Sequence, residues 1–142
     1  MMSHSEQQTL EIAAEFAATL KGGEIVFLEG DLGTGKTTFV RGVARSMGFE
    51  EPVRSPTFTI MNRYPVSQEQ IKELLHLDLY RIEDSKELQT LALEEEVGLP
   101  RTVTFIEWPV RAQEWGIQPS HEIRFETGPE GHDIEINEKT TV

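Results

Sequence analysis

Eight consecutive residues carry the plainest chemistry in this chain. Gly30-Asp31-Leu32-Gly33-Thr34-Gly35-Lys36-Thr37 satisfies G-x-x-x-x-G-K-[ST] at every fixed position. Chance would supply that pattern on the order of a few times in a thousand chains of this length. The glycines let backbone N–H groups turn inward around a phosphate. A helix opening at Lys36 adds the positive end of its dipole. Lys36 supplies a point charge to β- and γ-phosphates, and the Thr37 hydroxyl is placed to ligate magnesium. The expected nucleotide contacts are Asp31, Leu32, Gly33, Thr34, Gly35, Lys36, Thr37 and Thr38.

Hydrolysis of a triphosphate needs two more parts: a carboxylate at the metal and a group that positions water. Leu74-Leu75-His76-Leu77-Asp78 and Val103-Thr104-Phe105-Ile106-Glu107 each place an acid at the end of an apolar run. An acid ending a buried strand costs several kcal/mol unless a cation or hydrogen bonds satisfy it. Magnesium would satisfy one. The catalytic set is therefore Lys36, Asp78 and Glu107, with Thr37 and Glu107 assigned to the metal and Asp78 to the water or a supporting role. The residue types alone leave the two acids interchangeable. Ser55-Pro56-Thr57-Phe58 lies between the motif helix and the next strand, where γ-phosphate-sensing hydroxyls occur. No N-K-x-D stands in the chain, which favours ATP over GTP. The four histidines lack metal-ligand spacing and read as surface or hydrogen-bonded residues.

These residues need elements to position them. Residues 6–20 have apolar positions at three- and four-residue spacing and predict a helix, with Ser5 and Gln8 as a capping box. Residues 24–29 predict a buried strand, and 36–47 a helix closed by Gly48. Strands are expected over 57–64, 74–79 and 102–107, a helix over 84–97, and a short turn or helix over 109–115. Residues 121–127 and 132–137 alternate around Gly128-Pro129-Glu130-Gly131 and predict a β-hairpin. The expected fold is α/β: a central parallel sheet of the P-loop NTPase kind flanked by helices, with antiparallel strands and a C-terminal hairpin. One domain over residues 1–142 is expected.

Composition narrows the function classes. Hydrophobic residues make up 37% of the chain, enough for a core, and no run approaches a membrane span of about 20 apolar residues. Residues 1–8 lack an apolar signal region, and there are no cysteines, so no disulfide scaffold or thiolate site is expected. Both features fit a cytoplasmic protein. The net charge of −12 disfavours DNA or RNA as a direct, solitary partner. Yet residues 36–63 hold five basic and two acidic side chains, a locally positive strip suited to an anion or a partner.

Four segments in order resemble the bacterial tRNA threonylcarbamoyladenosine biosynthesis ATPase family TsaE, formerly YjeE. They are the motif through Thr38, Ser55-Pro56-Thr57-Phe58-Thr59, His76-Leu77-Asp78-Leu79-Tyr80-Arg81 and Ile106-Glu107-Trp108-Pro109. The resemblance implies a P-loop fold and a slow ATPase that supports repeated turnover of a TsaB–TsaD heterodimer, with tRNA met only through that complex. It implies that Thr57 is the switch threonine, that Asp78 and Glu107 are the acidic pair, and that Trp108 marks the site beside them. It leaves the adenine contacts unassigned. Two rival readings share the motif: a small-molecule kinase, and a switch in which nucleotide binding alone sets partner affinity.

Overall fold

The computed structural model describes residues 1–31, 34–51, 53, 61–79, 96–114 and 116–139. Its centre is β2, Ile25–Glu29, whose middle residues Val26, Phe27 and Leu28 are wholly buried. A strand buried on both faces needs apolar side chains at odd and even positions alike, which this run supplies. Parallel neighbours lie on both sides: β5, Thr102–Glu107, and β6, His121–Gly128. Beyond β5 come β4, Glu73–Asp78, parallel, and β3, Met61–Pro65, antiparallel. Beyond β6 come β7, Gly131–Glu138, and the two-residue β1, Met2–Ser3, both antiparallel. Among the described residues the sheet order is β1-β7-β6-β2-β5-β4-β3. This is the expected parallel centre with antiparallel edges.

Two helices cover one face. Helix α1, Glu6–Ala17, presents Ile12, Ala13 and Phe16; α2, Lys36–Ser46, presents Phe39, Val40 and Val43. These pack on Val26, Leu28, Leu74, Val103, Phe105, Ile123 and Phe125. Each fully buried large side chain contributes about 1.5–3 kcal/mol. The opposite face carries Phe27, Leu75, Leu77 and Ile106, with Ala112 from α3, Val110–Glu114. Strand alternation then has a consequence for chemistry. His76 and Asp78 share the parity of Leu74, and Glu107 that of Val103 and Phe105, so all three belong to the face covered by α1 and α2.

Several expectations change in detail. Helix α1 stops at Ala17 rather than residue 20, because the chain tightens there: Thr19 and Leu20 donate to the carbonyls of Phe16 and Ala17. Ser5 does cap α1, its Oγ accepting from the Gln8 N–H at 3.1 Å. Gln8 does not close the box. Its Oε1 accepts instead from the His4 N–H, one residue further out. Helix α2 ends as expected, with Phe49 N–H on Ala44 O and Gly48 N–H on Arg45 O around a left-handed Gly48 (φ 95°). The third strand is seen at Met61–Pro65, and residues 57–60 lie outside the described residues. So do residues 84–95 of the helix expected over 84–97; residues 96–98 form a turn. Strand β1 was not expected at all. No described helix is long and apolar enough to cross a membrane.

Candidate active site

Strand β2 runs into the glycine-rich loop, and the loop runs into α2, so the motif sits at the carboxyl edge of the parallel strands. That edge, at a point where chain connections diverge to either side, is where open α/β sheets bind ligands. Gly35 occupies the N-cap of α2 with φ 101° and ψ 11°, a left-handed conformation that glycine adopts without a Cβ penalty. Thr34 braces the loop through an Oγ1–H bond to Asp31 O at 2.6 Å. Leu32 and Gly33 lie outside the described residues, as does Thr57.

Lys36 is only 5% exposed. Its ammonium donates to Gly30 O at 2.6 Å, lies 3.6 Å from Glu107 Oε1, and sits 4.5 Å above the Trp108 ring. The lysine therefore folds back over its own loop against a carboxylate and an aromatic face. Trp108 has φ 56°, and among the described residues no other non-glycine has positive φ. For a bulky residue that conformation costs about 1–2 kcal/mol, held here where the acid strand leaves the sheet.

Glu107 is the hub. Its Oε2 lies 2.6 Å from His76 Nε2, and His76 is completely buried. Burial alone would push the Glu107 carboxyl up. The His76 hydrogen bond and charge, with the Lys36 ammonium, outweigh burial and hold it below the ordinary value of 4.5. A carboxylate acceptor requires His76 to donate from Nε2. His76 Nδ1 has no hydrogen-bond partner among the described residues. Asp78 is the register partner of Glu107 across β4 and β5, and both line the same cleft as Lys36 and Thr37. Two acids 29 residues apart in sequence thus converge on the motif lysine.

The cleft has a volume of about 490 Å³. Gly35 to Thr38, Asp78 and Glu107 line one end; His4, Ser5, Glu6, Thr9, Gly131 and His132 line the other. That volume suits a ligand of nucleotide size. Of the basic strip, Lys36 alone among the described residues enters this cleft. Arg41 pairs with Glu6 at 2.6 Å, Arg63 pairs with Glu73 at 3.0 Å and also with Glu96, and Arg54 lies outside the described residues.

Of the described residues found by motif, Gly35, Lys36, Thr37, Thr38, Asp78 and Glu107 share this cleft, whereas Asp31 and Thr34 line a separate one beside Arg124 and Phe125. Sequence reasoning passed over His76 as one hydrogen-bonded histidine among four. The signal was present in its place two residues before Asp78, which puts both on one strand face. It also missed the second end of the cleft, for which no spacing signal exists.

A family model described as "Threonylcarbamoyl adenosine biosynthesis protein TsaE" matches residues 3–137. The chain is 46% identical over 82 residues to a tRNA threonylcarbamoyladenosine biosynthesis protein TsaE from Aquifex aeolicus, covering 56% of this chain and 59% of that protein. It is 40% identical over 109 residues to the protein of that name from Nostoc sp., covering 75% and 65%. It is 42% identical over 102 residues to that of Bacillus subtilis, covering 72% and 61%. These matches span about three fifths of the relatives' own length. A crystal structure of Bacillus subtilis YdiB superposes with a TM-score of 0.75 at 31% identity, covering 94% of this chain and 80% of that one.

Proposed function

The chain belongs to the threonylcarbamoyl adenosine biosynthesis protein TsaE family, and on that premise we propose that it binds and hydrolyses ATP with magnesium. Hydrolysis serves repeated turnover of a TsaB–TsaD complex that modifies the adenosine beside the tRNA anticodon. The convergence of Lys36, Thr37, Asp78 and Glu107 in one cleft at the helix start supports this reading.

The donor set fits magnesium. Among the described residues no three His, Asp or Glu side chains form a self-sufficient metal cage. One hydroxyl and one or two carboxylates, completed by phosphate oxygens and water, is the usual way of holding this ion. Thr37 and Glu107 would hold it. When bound, it offsets charge on the β- and γ-oxygens.

The chain's own groups then have separate tasks. The Lys36 ammonium exchanges Gly30 O for phosphate oxygens. Glu107 enters ionised, its Oε2 already committed to His76, so one oxygen remains for the site. Asp78 orients the attacking water or supports the group that does. Slow turnover by the isolated chain follows from a catalytic set that partner binding must complete.

Three measurements test the reading. Glu107→Ala should bind nucleotide and lose hydrolysis; undiminished turnover removes Glu107 from the mechanism. ATP hydrolysis should rise when TsaB–TsaD is added. A non-hydrolysable analogue that sustains repeated modification as well as ATP would replace hydrolysis with a binding switch.

A further inference from the structure

Strand β4 runs Leu74-Leu75-His76-Leu77 before Asp78, and His76 is the one polar residue in that buried stretch. Its register partners, Phe105 on β5 and Asn62 on β3, flank it on the same face. The Tyr64 ring stands 6.3 Å away between centroids and packs in turn on Phe49 at 5.1 Å. As core filling, a histidine is a poor choice here. Its Nδ1 has no hydrogen-bond partner among the described residues, a loss of stability that leucine, used at Leu74, Leu75 and Leu77, would avoid. What the imidazole supplies and leucine cannot is the Nε2–H bond of 2.6 Å to Glu107 Oε2.

That bond divides the carboxylate. Oε2 is turned into the protein, toward a residue with no exposed surface. Oε1 is on the cleft side, 3.6 Å from Lys36 Nζ, and Lys36, Thr37 and Glu107 line that cleft. The flanking side chains keep the imidazole from following the carboxylate if it turns. Divalent cations differ in what they ask of such a group. Calcium takes about six to eight oxygens in flexible geometry, often both oxygens of one carboxylate. Magnesium is smaller, requires near-octahedral ligands, and keeps water and phosphate oxygens among them. A carboxylate with one oxygen to give serves magnesium and leaves calcium short of ligands.

We propose that His76 is a positioning residue that sets the choice of cation: it holds Glu107 Oε2, leaves Oε1 alone for the ion, and so favours magnesium over calcium. The proposal rests on the reading of Glu107 as a magnesium ligand and adds what makes the site select that ion. His76 acts through Glu107 alone. Lys36 cannot replace it, because the ammonium lies on the Oε1 side.

Calorimetry of a non-hydrolysable ATP analogue, titrated in magnesium and in calcium, tests this. The readout is the ratio of the two dissociation constants. The parent chain should bind the analogue more tightly with magnesium. His76→Leu should shift the ratio toward calcium by roughly tenfold, the scale on which groups that orient a metal ligand act. His76→Gln, which can return a donor to Oε2, should keep the parent ratio within about twofold. Loosened packing alone would weaken both titrations together and leave the ratio unchanged. In a Glu107→Ala background, His76→Leu should leave the ratio where it is. A parent ratio preserved in His76→Leu overturns the proposal, as does an equal shift in His76→Gln, or a shift that persists without Glu107. Equal binding by the parent chain with magnesium and calcium also overturns it while the metal reading stands. Binding unaltered by a chelator removes the metal reading first, and the proposal with it. A melting curve checks that the variants fold; should His76→Leu fail, His76→Asn, whose shorter amide cannot reach Oε2, carries the same comparison.

Discussion

The two ends of the cleft are built on opposite principles. At the acid end, His76, Glu107 and Lys36 are almost sealed from solvent and matched before any ligand arrives. At the hairpin end, His4, Ser5 and Glu6 are exposed and held by surface hydrogen bonds and one ion pair. A buried charge needs every neighbour in place, because an uncompensated one costs several kcal/mol. An exposed polar group tolerates a missing partner, because water replaces it. The acid end is thus suited to fixing charge for chemistry, and the hairpin end to recognition that can be tuned residue by residue.

The largest effect should come from cutting the acid end at its cation. Lys36→Ala should lower kcat by roughly a hundred- to thousandfold, since a preorganised charge in a secluded site is lost. Single-turnover hydrolysis checks this, and an effect below tenfold would erase the contrast between the two ends. Next comes His76→Leu. It leaves Glu107 buried with Lys36 as its remaining charge partner and should cost about 3 kcal/mol in denaturant unfolding. His76→Gln, which restores a donor near the position of Nε2, should recover a substantial part in stability and kcat alike.

Acid titration sharpens the comparison further. Glu107 is held below 4.5 in the folded chain, so its contribution is present above that value and fades as pH falls through the lowered one. Glu107→Gln should flatten this acid limb of the stability curve. An unchanged limb would mean that other carboxylates dominate it. The smallest effects belong to the hairpin end. Ser5→Ala removes the cap of α1 and should cost about 1 kcal/mol, and Ser5→Gly only a few tenths. Thermal unfolding distinguishes the two.

Much of the acid end was legible. The loop motif, the strand before it and the helix after it are contiguous, and contiguity preserves spacing. Asp78 and Glu107 each close an apolar run, so their strand-end positions follow from local pattern. Their registry with each other does not, because it depends on β4 and β5 being neighbours. The His76–Glu107 bond shows the same limit: each residue was visible on its own strand, but 31 residues separate them. Strand β1 escaped because two residues are too few to show a period. Its existence depends on β7, to which it adds a two-residue pairing.

Sequence by itself determined the glycine-rich loop between a strand and a helix, the parity that turns His76, Asp78 and Glu107 toward one face, and the hairpin. These are consequences of neighbouring residues and of backbone geometry that repeats every two or 3.6 positions. Only the tertiary structure decided that β5 and β4 lie to one side of β2 and the hairpin with β1 to the other, because strand order is set by long-range packing and hydrogen bonding that no local period encodes. That ordering pairs Glu107 with His76 and Lys36, and it brings His4 and His132, 128 residues apart, onto one wall of the cleft.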